Sequence, residues 1–290
     1  MSAVIERHLD LTRHDVRSRR RRLGLVVSIC FLFVGAVVVM AIFGPLLAPQ
    51  DPQAQHLALV SADPSSAHWL GTDALGRDVF SRVIVGARTA FFGPLVIALG
   101  SFTLGNVLGL LAGYHGGRVD ALIMRWVDLM WSIPTLLVVI VVAGAIGASY
   151  WWAVALLVIL TVPFDTRVVR GATLEQVPRP YVEAAKTLGV PGRWIVVRHI
   201  WPNISSIAIA NTFLVFASSL VALAGLSFLG LGVSPGTPDW GLMLSENETL
   251  LFANPIATIV PGVMIALTAT AMNLVGDWLD ESLAGRGATR

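Results

Sequence analysis

The sequence predicts an all-α integral membrane protein that crosses the bilayer with six transmembrane helices. Hydrophobic residues make up 55% of the 290 residues and charged residues only 13%. The mean hydropathy is +0.74, which is too apolar for an ordinary soluble domain. Apolar runs near the length of about 20 residues that a membrane-spanning helix needs also recur along the chain.

The amino-terminal segment, residues 1–22, is polar and basic, and an apolar run follows at residues 23–47. A cleaved secretory signal also begins with positive charge, but no small-residue cleavage site is evident here. We therefore predict a retained first transmembrane helix with the amino terminus in the cytoplasm. The arginines of residues 1–22 also suit anionic membrane lipid. Basic residues are otherwise dispersed along membrane-flanking segments, which argues against a nucleic-acid partner.

Residues 48–88 form a polar interval that we predict to be external. Turn-forming residues lead up to residue 73, and apolar positions within residues 74–88 recur at helical spacing. This pattern predicts an interfacial helix that leads into the second span. Asp78 and Arg82 lie four residues apart on that helix, which favours an ion pair between them.

A group of polar residues in this interval has the composition of a metal or catalytic cluster. It consists of His68, Asp73, Arg77 and Asp78. Turn, helix-cap and helix-dipole roles explain these residues more simply. We therefore predict no metal site on this chain.

The transmembrane core, residues 89–276, holds the remaining spans. They are expected at residues 90–112, from the turn at 114–118 to 147, at 152–164 with an extension to 169, at 205–224 and at 255–275. Residues 226–254 are punctuated by Gly and Pro, and the sequence does not decide whether they enter the membrane. The polar tail, residues 277–290, is expected in the cytoplasm.

Small residues form a stripe in the second span, where Gly105, Gly109 and Gly113 recur at intervals of four. Such a stripe lets another helix backbone approach closely. We predict helix packing there, either within the chain or against a partner subunit. In the next helix, the spacing of Arg125 and Asp128 predicts a local ion pair.

Several function classes are disfavoured by what the spans contain. No Asp or Glu falls in the middle of an expected span, which argues against an ion-coupled carrier. The six histidines are scattered without metal-ligand spacing. The single lysine, Lys186, follows Ala185 rather than Gly, which excludes a Gly-Lys-[Ser/Thr] phosphate-binding loop. Energy for any transport must therefore come from another polypeptide.

The distribution of positive charge predicts the orientation. With the amino terminus inside, residues 1–22, 114–125, 165–203 and the tail are cytoplasmic. These segments hold seventeen of the twenty Lys and Arg residues. Cytoplasmic loops carry an excess of Lys and Arg. The loop at residues 165–203 is therefore predicted to face the cytoplasm.

Within that loop, residues 183–203 read EAAKTLGVPGRWIVVRHIWPN. Residues 180–188 favour a short helix, since Pro180 suits a first helical turn and Gly189 suits a left-handed helix end. An ordinary amphipathic connector between two spans would show some of these features. The full spacing, with Glu183-Ala184-Ala185, Gly189 six residues after the glutamate and Pro202 after His199, resembles the EAA loop of bacterial ABC-importer permeases.

A second stretch narrows the resemblance. Residues 63–82, DPSSAHWLGTDALGRDVFSR, are similar to the external segment of the C-type permease subunit of dipeptide and oligopeptide importers, and nickel importers share this segment. The resemblance covers most of the chain from about residue 20. It implies a type I ABC-importer permease fold, in a bacterial cytoplasmic membrane, with peptide, nickel or another small solute as substrate. A membrane scaffold without transport remains the alternative from another class.

The resemblance also implies partners and roles. The partners are a related B-type permease subunit, two cytoplasmic ATPase subunits that carry ATP and Mg, and an external substrate-binding protein, with no cofactor on this chain. The helix that begins the loop docks on the ATPase: Glu183 pairs with a basic group there, and Ala184 and Ala185 allow close approach. The other residues of the coupling segment are Lys186, Gly189, which fixes the turn, and His199, Pro202 and Asn203, which shape the return into the next span.

Overall fold

The computed structural model describes residues 2–147 and 149–287, with side chains for 24–145, 147 and 149–282. The described residues form ten α-helices: α1 (Ser2–Leu47), α2 (Val79–His115), α3 (Gly117–Trp131), α4 (Thr135–Ile146), α5 (Tyr150–Gln176), α6 (Pro180–Thr187), α7 (Gly192–Ile195), α8 (Trp201–Phe228), α9 (Trp240–Glu246) and α10 (Pro255–Gly287). Short 3-10 turns cover Leu57–Leu59 and Glu248–Leu250, and a π-helical turn, Val196–Ile200, joins α7 to α8.

The all-helical membrane fold is confirmed. Among the residues that the structure describes, five helical stretches are long and apolar enough to cross a bilayer: Gly24–Leu47, Val79–His115, Tyr150–Gln176, Gly192–Phe228 and Pro255–Ser282. The predicted third span differs from a single straight helix, because α3 and α4 meet at an angle of 76°. The break falls at residues 132–134, where Pro134 disfavours helical backbone in the residue before it.

The second span is longer than the sequence suggested. The segment expected to be an interfacial helix instead forms the first turns of α2, which begins at Val79. Ser81 and Arg82 are fully buried there, so these turns pack inside the protein rather than on a membrane surface. Asp78 caps the helix, since its side chain accepts a hydrogen bond from the Ser81 backbone N–H at 2.8 Å.

Helix α2 lies at the centre of the bundle and contacts α1, α5 and α8. One apolar core joins it to α5 and α8 through residues such as Ile97, Leu157 and Phe216. A second core, which includes Val83 and Trp240, joins it to α1, α9 and α10. The Trp240 indole is fully buried and donates to the Val83 carbonyl at 2.9 Å.

The glycine stripe of α2 lies against α5. A Cβ atom added at Gly109 would stand 2.7 Å from the Val169 Cβ, and one at Gly113 would stand 2.6 Å from the Thr173 Cβ. A Cβ at Gly105 would collide with the Asp165 side chain. The three glycines therefore permit an approach of α2 and α5 that any larger residue would prevent.

We expect Gly109→Leu to destabilise the α2–α5 contact by about 1–3 kcal/mol or more, because overpacking a filled site forces the backbones apart. The matched control is Gly171→Leu on α5, where an added Cβ meets nothing within 4 Å. Thermal unfolding of the purified chain measures both. Equal midpoints for the two variants would show that the stripe does not hold the helices together.

Candidate functional site

The sequence motif at residues 183–203 begins in the loop between α5 and α8, residues 177–200, and ends in the first turn of α8. We call residues 177–200 the interhelical loop. Its first helix, α6, starts with Pro180 at a position where the missing N–H costs nothing. Glu183 is in the first turn and Lys186 in the last, and both charges suit the helix dipole. The predicted short helix and its start are confirmed.

The helix ends at Gly189 as predicted. Gly189 has a φ of 73°, in the left-handed region that glycine adopts without steric cost. Its N–H donates to the Lys186 carbonyl at 3.0 Å, and the Val190 N–H donates to the Ala185 carbonyl at 3.1 Å. This pair of bonds is the Schellman arrangement, which satisfies carbonyls that a helix end would leave free.

One face of the interhelical loop packs on the bundle. We call this contact the loop cluster; it consists of the buried residues Val169, Val182, Ala185, Ile195, Ile200, Ile204 and Ala208. Val169 belongs to α5, and Ile204 and Ala208 belong to α8. The loop is thus joined by apolar contacts to both helices that it connects.

The opposite face of the loop is exposed. Glu183, Ala184 and Gly189 all face away from the bundle. Three large apolar side chains of the loop are also exposed: Leu188 is 82% exposed, Val197 60% and Trp194 49%. Exposed apolar residues beside charged ones are typical of a protein–protein contact surface. Ala185 points the other way, into the loop cluster, so its small side chain serves packing within this chain.

Tyr114, near the end of α2, packs against the loop cluster, a contact that no local pattern in the sequence indicates. The Lys186 ammonium lies 5.8 Å from the centre of the Tyr114 ring, within reach of a cation–π contact. A Cβ atom added at Gly192 would lie 3.1 Å from the same ring. Lys186 is therefore directed toward α2, and Gly192 leaves room for the tyrosine.

The residues at the return of the loop organise the start of α8. Pro202 stands in the first turn of α8, and the Asn203 side-chain amide donates to the His199 carbonyl at 2.6 Å.

At the start of the loop, the Tyr181 hydroxyl donates to the Gln176 side chain at 2.7 Å. Partial burial raises the pKa of the Tyr181 phenol.

An acidic side chain lies inside a membrane helix, which corrects the expectation that no Asp or Glu falls in the middle of a span. Asp165 is in α5, within the stretch Tyr150–Gln176, and is 3% exposed. Its carboxylate accepts hydrogen bonds from the Ser101 hydroxyl of α2 and the Asn211 amide of α8. The sequence placed it at the border of a short span, where no special role was apparent.

The predicted Arg125–Asp128 pair is wrong. Asp128 instead bonds Arg167 on α5 at 2.6 Å, and Arg167 also stacks 4.2 Å from the Trp131 ring centre. Asp120 of α3 bonds Arg170 of α5 in the same way, through two hydrogen bonds. The pairs therefore link α3 to α5 rather than stabilising α3 alone.

Residues 68–82 form turn, cap and ion-pair contacts. Asp73 accepts from the backbone N–H groups of Leu75 and Arg77, both at 2.9 Å. The Asp78 cap also contacts His68, whose Nδ1 is 3.0 Å away. The predicted Asp78–Arg82 pair is wrong, because Asp78 serves as the cap and Arg82 turns to another partner.

Arg82 belongs to a buried charge network, which consists of Asp73, Arg77, Arg82 and Glu246. Glu246, from α9, accepts from Arg77 at 2.6 Å and from Arg82 at 2.8 Å, while Asp73 pairs with Arg77 at 2.7 Å. Both arginines are almost completely buried. The network joins residues 73–82 to the segment between α8 and α10.

Two family models match the chain. The model described as a binding-protein-dependent transport system inner membrane component matches residues 105–286, which include the glycine stripe and the interhelical loop. The model described as the N-terminal TM domain of oligopeptide transport permease C matches residues 17–64. The two matches together cover most of the chain, and residues 65–104 lie between them.

Full-length relatives are similar to the chain over most of its length. The glutathione transport system permease protein GsiD of Pectobacterium atrosepticum is 37% identical, over 87% of this chain and 84% of that protein. The probable D,D-dipeptide transport system permease protein DdpC of Escherichia coli K12 is 38% identical, over 85% and 83%. The dipeptide transport system permease protein DppC of Alkalihalophilus pseudofirmus is 33% identical, over 87% and 83%.

A solved structure shares the fold. A chain of the MetNI methionine ABC transporter in an inward-facing conformation superposes with a TM-score of 0.59 and 16% sequence identity, over 70% of this chain and 97% of that chain. At this identity the likeness concerns the fold alone. The two chains therefore share their helical membrane fold.

Replacing Gly189 tests whether the end of α6 depends on left-handed backbone. We expect Gly189→Val to destabilise the loop by about 1–2 kcal/mol, since a side chain disfavours this conformation. Gly189→Asn is the control, because asparagine tolerates it better, and an added Cβ meets nothing within 4 Å in either case. Thermal unfolding and protease cleavage at the loop measure the effect. Equal losses for both variants would contradict the assignment.

Replacing Glu246 tests the charge network. Glu246→Ala leaves Arg77 and Arg82 buried with one carboxylate between them, and we expect a loss of about 3–5 kcal/mol in unfolding free energy. Glu248→Ala is the control, because Glu248 is exposed and lies two residues further along. A denaturation midpoint for Glu246→Ala that matches the control would show that the network does not stabilise the fold.

Proposed function

The chain belongs to the family of binding-protein-dependent transport system inner membrane components, and on that premise we propose that it forms half of the translocation pathway of a peptide importer. As a member of this family it is a multi-pass inner-membrane permease subunit of an ABC transporter, and the ATPase is a separate subunit. The proposal adds its position in the assembly, its substrate class and the residues that connect it to ATP hydrolysis.

The exposed face of the interhelical loop is the observation that supports the coupling role. Glu183, Ala184 and Leu188 present a charge, a small residue and an apolar side chain on one accessible surface. Helix α6, which carries Glu183 and Ala184, is held by the hydrogen bonds at its C-terminal end and by the loop cluster. A surface that is both rigid and accessible suits docking into a groove of a cytoplasmic ATPase.

The proposed mechanism follows from the two faces of the loop. When ATP binding closes a pair of ATPase subunits, the docked helix α6 is carried with them. The loop cluster transmits this displacement to α5 and α8, because packed apolar contacts resist separation. The membrane helices then switch between facing the cytoplasm and facing outside, where a substrate-binding protein delivers the solute.

Peptides are the substrate class that we propose. The relatives named for transport of glutathione, D,D-dipeptides and dipeptides all handle peptide-like solutes. The partners would be a related B-type permease, two ATPase subunits and an external binding protein. Uptake of a labelled dipeptide by cells with and without the gene tests this substrate class. Gene-dependent uptake of nickel and not of the dipeptide would show that the substrate is nickel instead.

The proposed orientation puts both termini and the interhelical loop in the cytoplasm. It rests on the positive-inside distribution, with seventeen of twenty Lys and Arg residues in the predicted cytoplasmic segments. The segment that carries the charge network, residues 73–82, then faces outward with α9. The docking face and the charge network lie at opposite ends of the bundle in this arrangement.

Glu183→Lys tests the docking role. We expect the variant to reach the membrane at the normal level but to lose at least about tenfold of its ATP-driven uptake, because the reversed charge repels the basic group proposed on the ATPase. Glu248→Lys, an exposed reversal on the proposed external side, serves as control. Normal uptake and ATPase assembly with Glu183→Lys would refute the docking role.

A further inference from the structure

Asp165 has partners that ordinary packing does not require. A carboxylate within a membrane helix is costly and is retained where it has a function. This one is 3% exposed and accepts bonds from Ser101 of α2 and Asn211 of α8. Three helices therefore meet at one side chain. We call this contact the three-helix clasp, with Ser101, Asp165 and Asn211 as its members.

Two members of the clasp, Asp165 and Asn211, lie at similar distances from the interhelical loop along α5 and α8. Asp165 precedes Gln176, the last residue of α5, by eleven positions, and Asn211 follows Trp201, the first residue of α8, by ten. At about 1.5 Å per residue, both lie about 15–17 Å from the loop along the helix. The two helices are thus joined twice, by the loop cluster at the base and by the clasp further up.

We propose that Asp165 is a positioning residue for transport, which makes α2, α5 and α8 move as one body when the interhelical loop is displaced. The inference rests on the coupling role proposed above. A displacement at the base of two helices becomes a tilt of both only if they cannot slide past each other further up. The clasp prevents that sliding, and the contact of Gly105 with Asp165 holds the α2 backbone against it.

The clasp is held by hydrogen bonds from neutral donors to Asp165 rather than by an ion pair. Among the described residues, the bonds to Asp165 come from a hydroxyl and an amide. The nearest arginines along α5, Arg167 and Arg170, bond Asp128 and Asp120 instead. An amide at position 165 would preserve the pattern, because it accepts from Ser101 and pairs with Asn211 once that amide rotates.

This chemistry makes an asymmetric prediction. Asp165→Asn keeps the clasp. Asn211→Asp weakens it, because two ionised carboxyl groups in a dry site repel each other and offer no donor until one of them takes up a proton. The exchange Asp165→Asn with Asn211→Asp restores one donor and one acceptor. Asp165→Leu removes the hydrogen bonds of the clasp and keeps the branched shape of the side chain.

The experiment measures peptide uptake and ATP hydrolysis per assembled complex in reconstituted vesicles, for the four variants and the wild type. We expect uptake per complex to fall by about tenfold or more in Asp165→Leu and Asn211→Asp, while basal ATP hydrolysis stays near the wild-type rate. Asp165→Asn and the exchanged pair should transport normally. Failure of uptake with retained hydrolysis, and its rescue by the exchange, are readouts that a merely structural role would not produce.

Three results would overturn the proposal. They are normal uptake in both Asp165→Leu and Asn211→Asp, a parallel fall of uptake and hydrolysis per complex, and an exchanged pair that transports no better than Asn211→Asp. The coupling role of the loop is judged separately by Glu183→Lys. Normal coupling in that variant would refute the docking role and remove the displacement that the clasp is proposed to transmit, whereas a failed clasp experiment would leave the docking role intact.

Discussion

The loop cluster is the contact on which the rest of the structure depends. A loop between two membrane helices gains little from its own short helices, since isolated helices of this length are marginal in water. Its stability comes from burying Val182, Ile195 and Ile200 against α5 and α8, each worth about 2 kcal/mol relative to an exposed side chain. The same burial fixes which residues face outward. The packing that holds the loop therefore also creates the surface proposed to dock on the ATPase, and the two cannot be changed independently.

Close approach of backbones extends this rigidity into the membrane. Lipid tails are as apolar as the helices, so helix association there depends on fit and hydrogen bonds rather than on the hydrophobic effect. Gly109 and Gly113 supply the fit between α2 and α5, and Asp165 supplies hydrogen bonds between α2, α5 and α8. At the other end of the bundle, the charge network joins the start of α2 to α9. The central helix α2 is thus held along most of its length.

Local features of the chain were predictable, whereas pairings between distant residues were not. Hydropathy located the spans, and Pro180 and Gly189 located both ends of α6, because these signals depend only on neighbouring residues. Pro134 is a local indication of the bend between α3 and α4, because a proline disfavours helical backbone in the residue before it. The partner of Arg82 is Glu246, which is 164 residues away. The i, i+4 spacing along one helix instead predicted Asp78. Asp165 escaped notice because its bonds reach α2 and α8, and nothing local to α5 marks them.

Cross-linking from the loop surface to the ATPase tests the central claim most directly. The chain has a single cysteine, Cys30, so Cys30→Ala with Ala184→Cys provides one reactive thiol on the exposed face of α6. The account predicts that a short thiol-reactive cross-linker joins this position to the ATPase subunit in the assembled transporter, and that Glu248→Cys in the same background does not join to it. A thiol at position 184 that reacts only with reagents outside the cell, or cross-links to lipid and this chain alone, would contradict it.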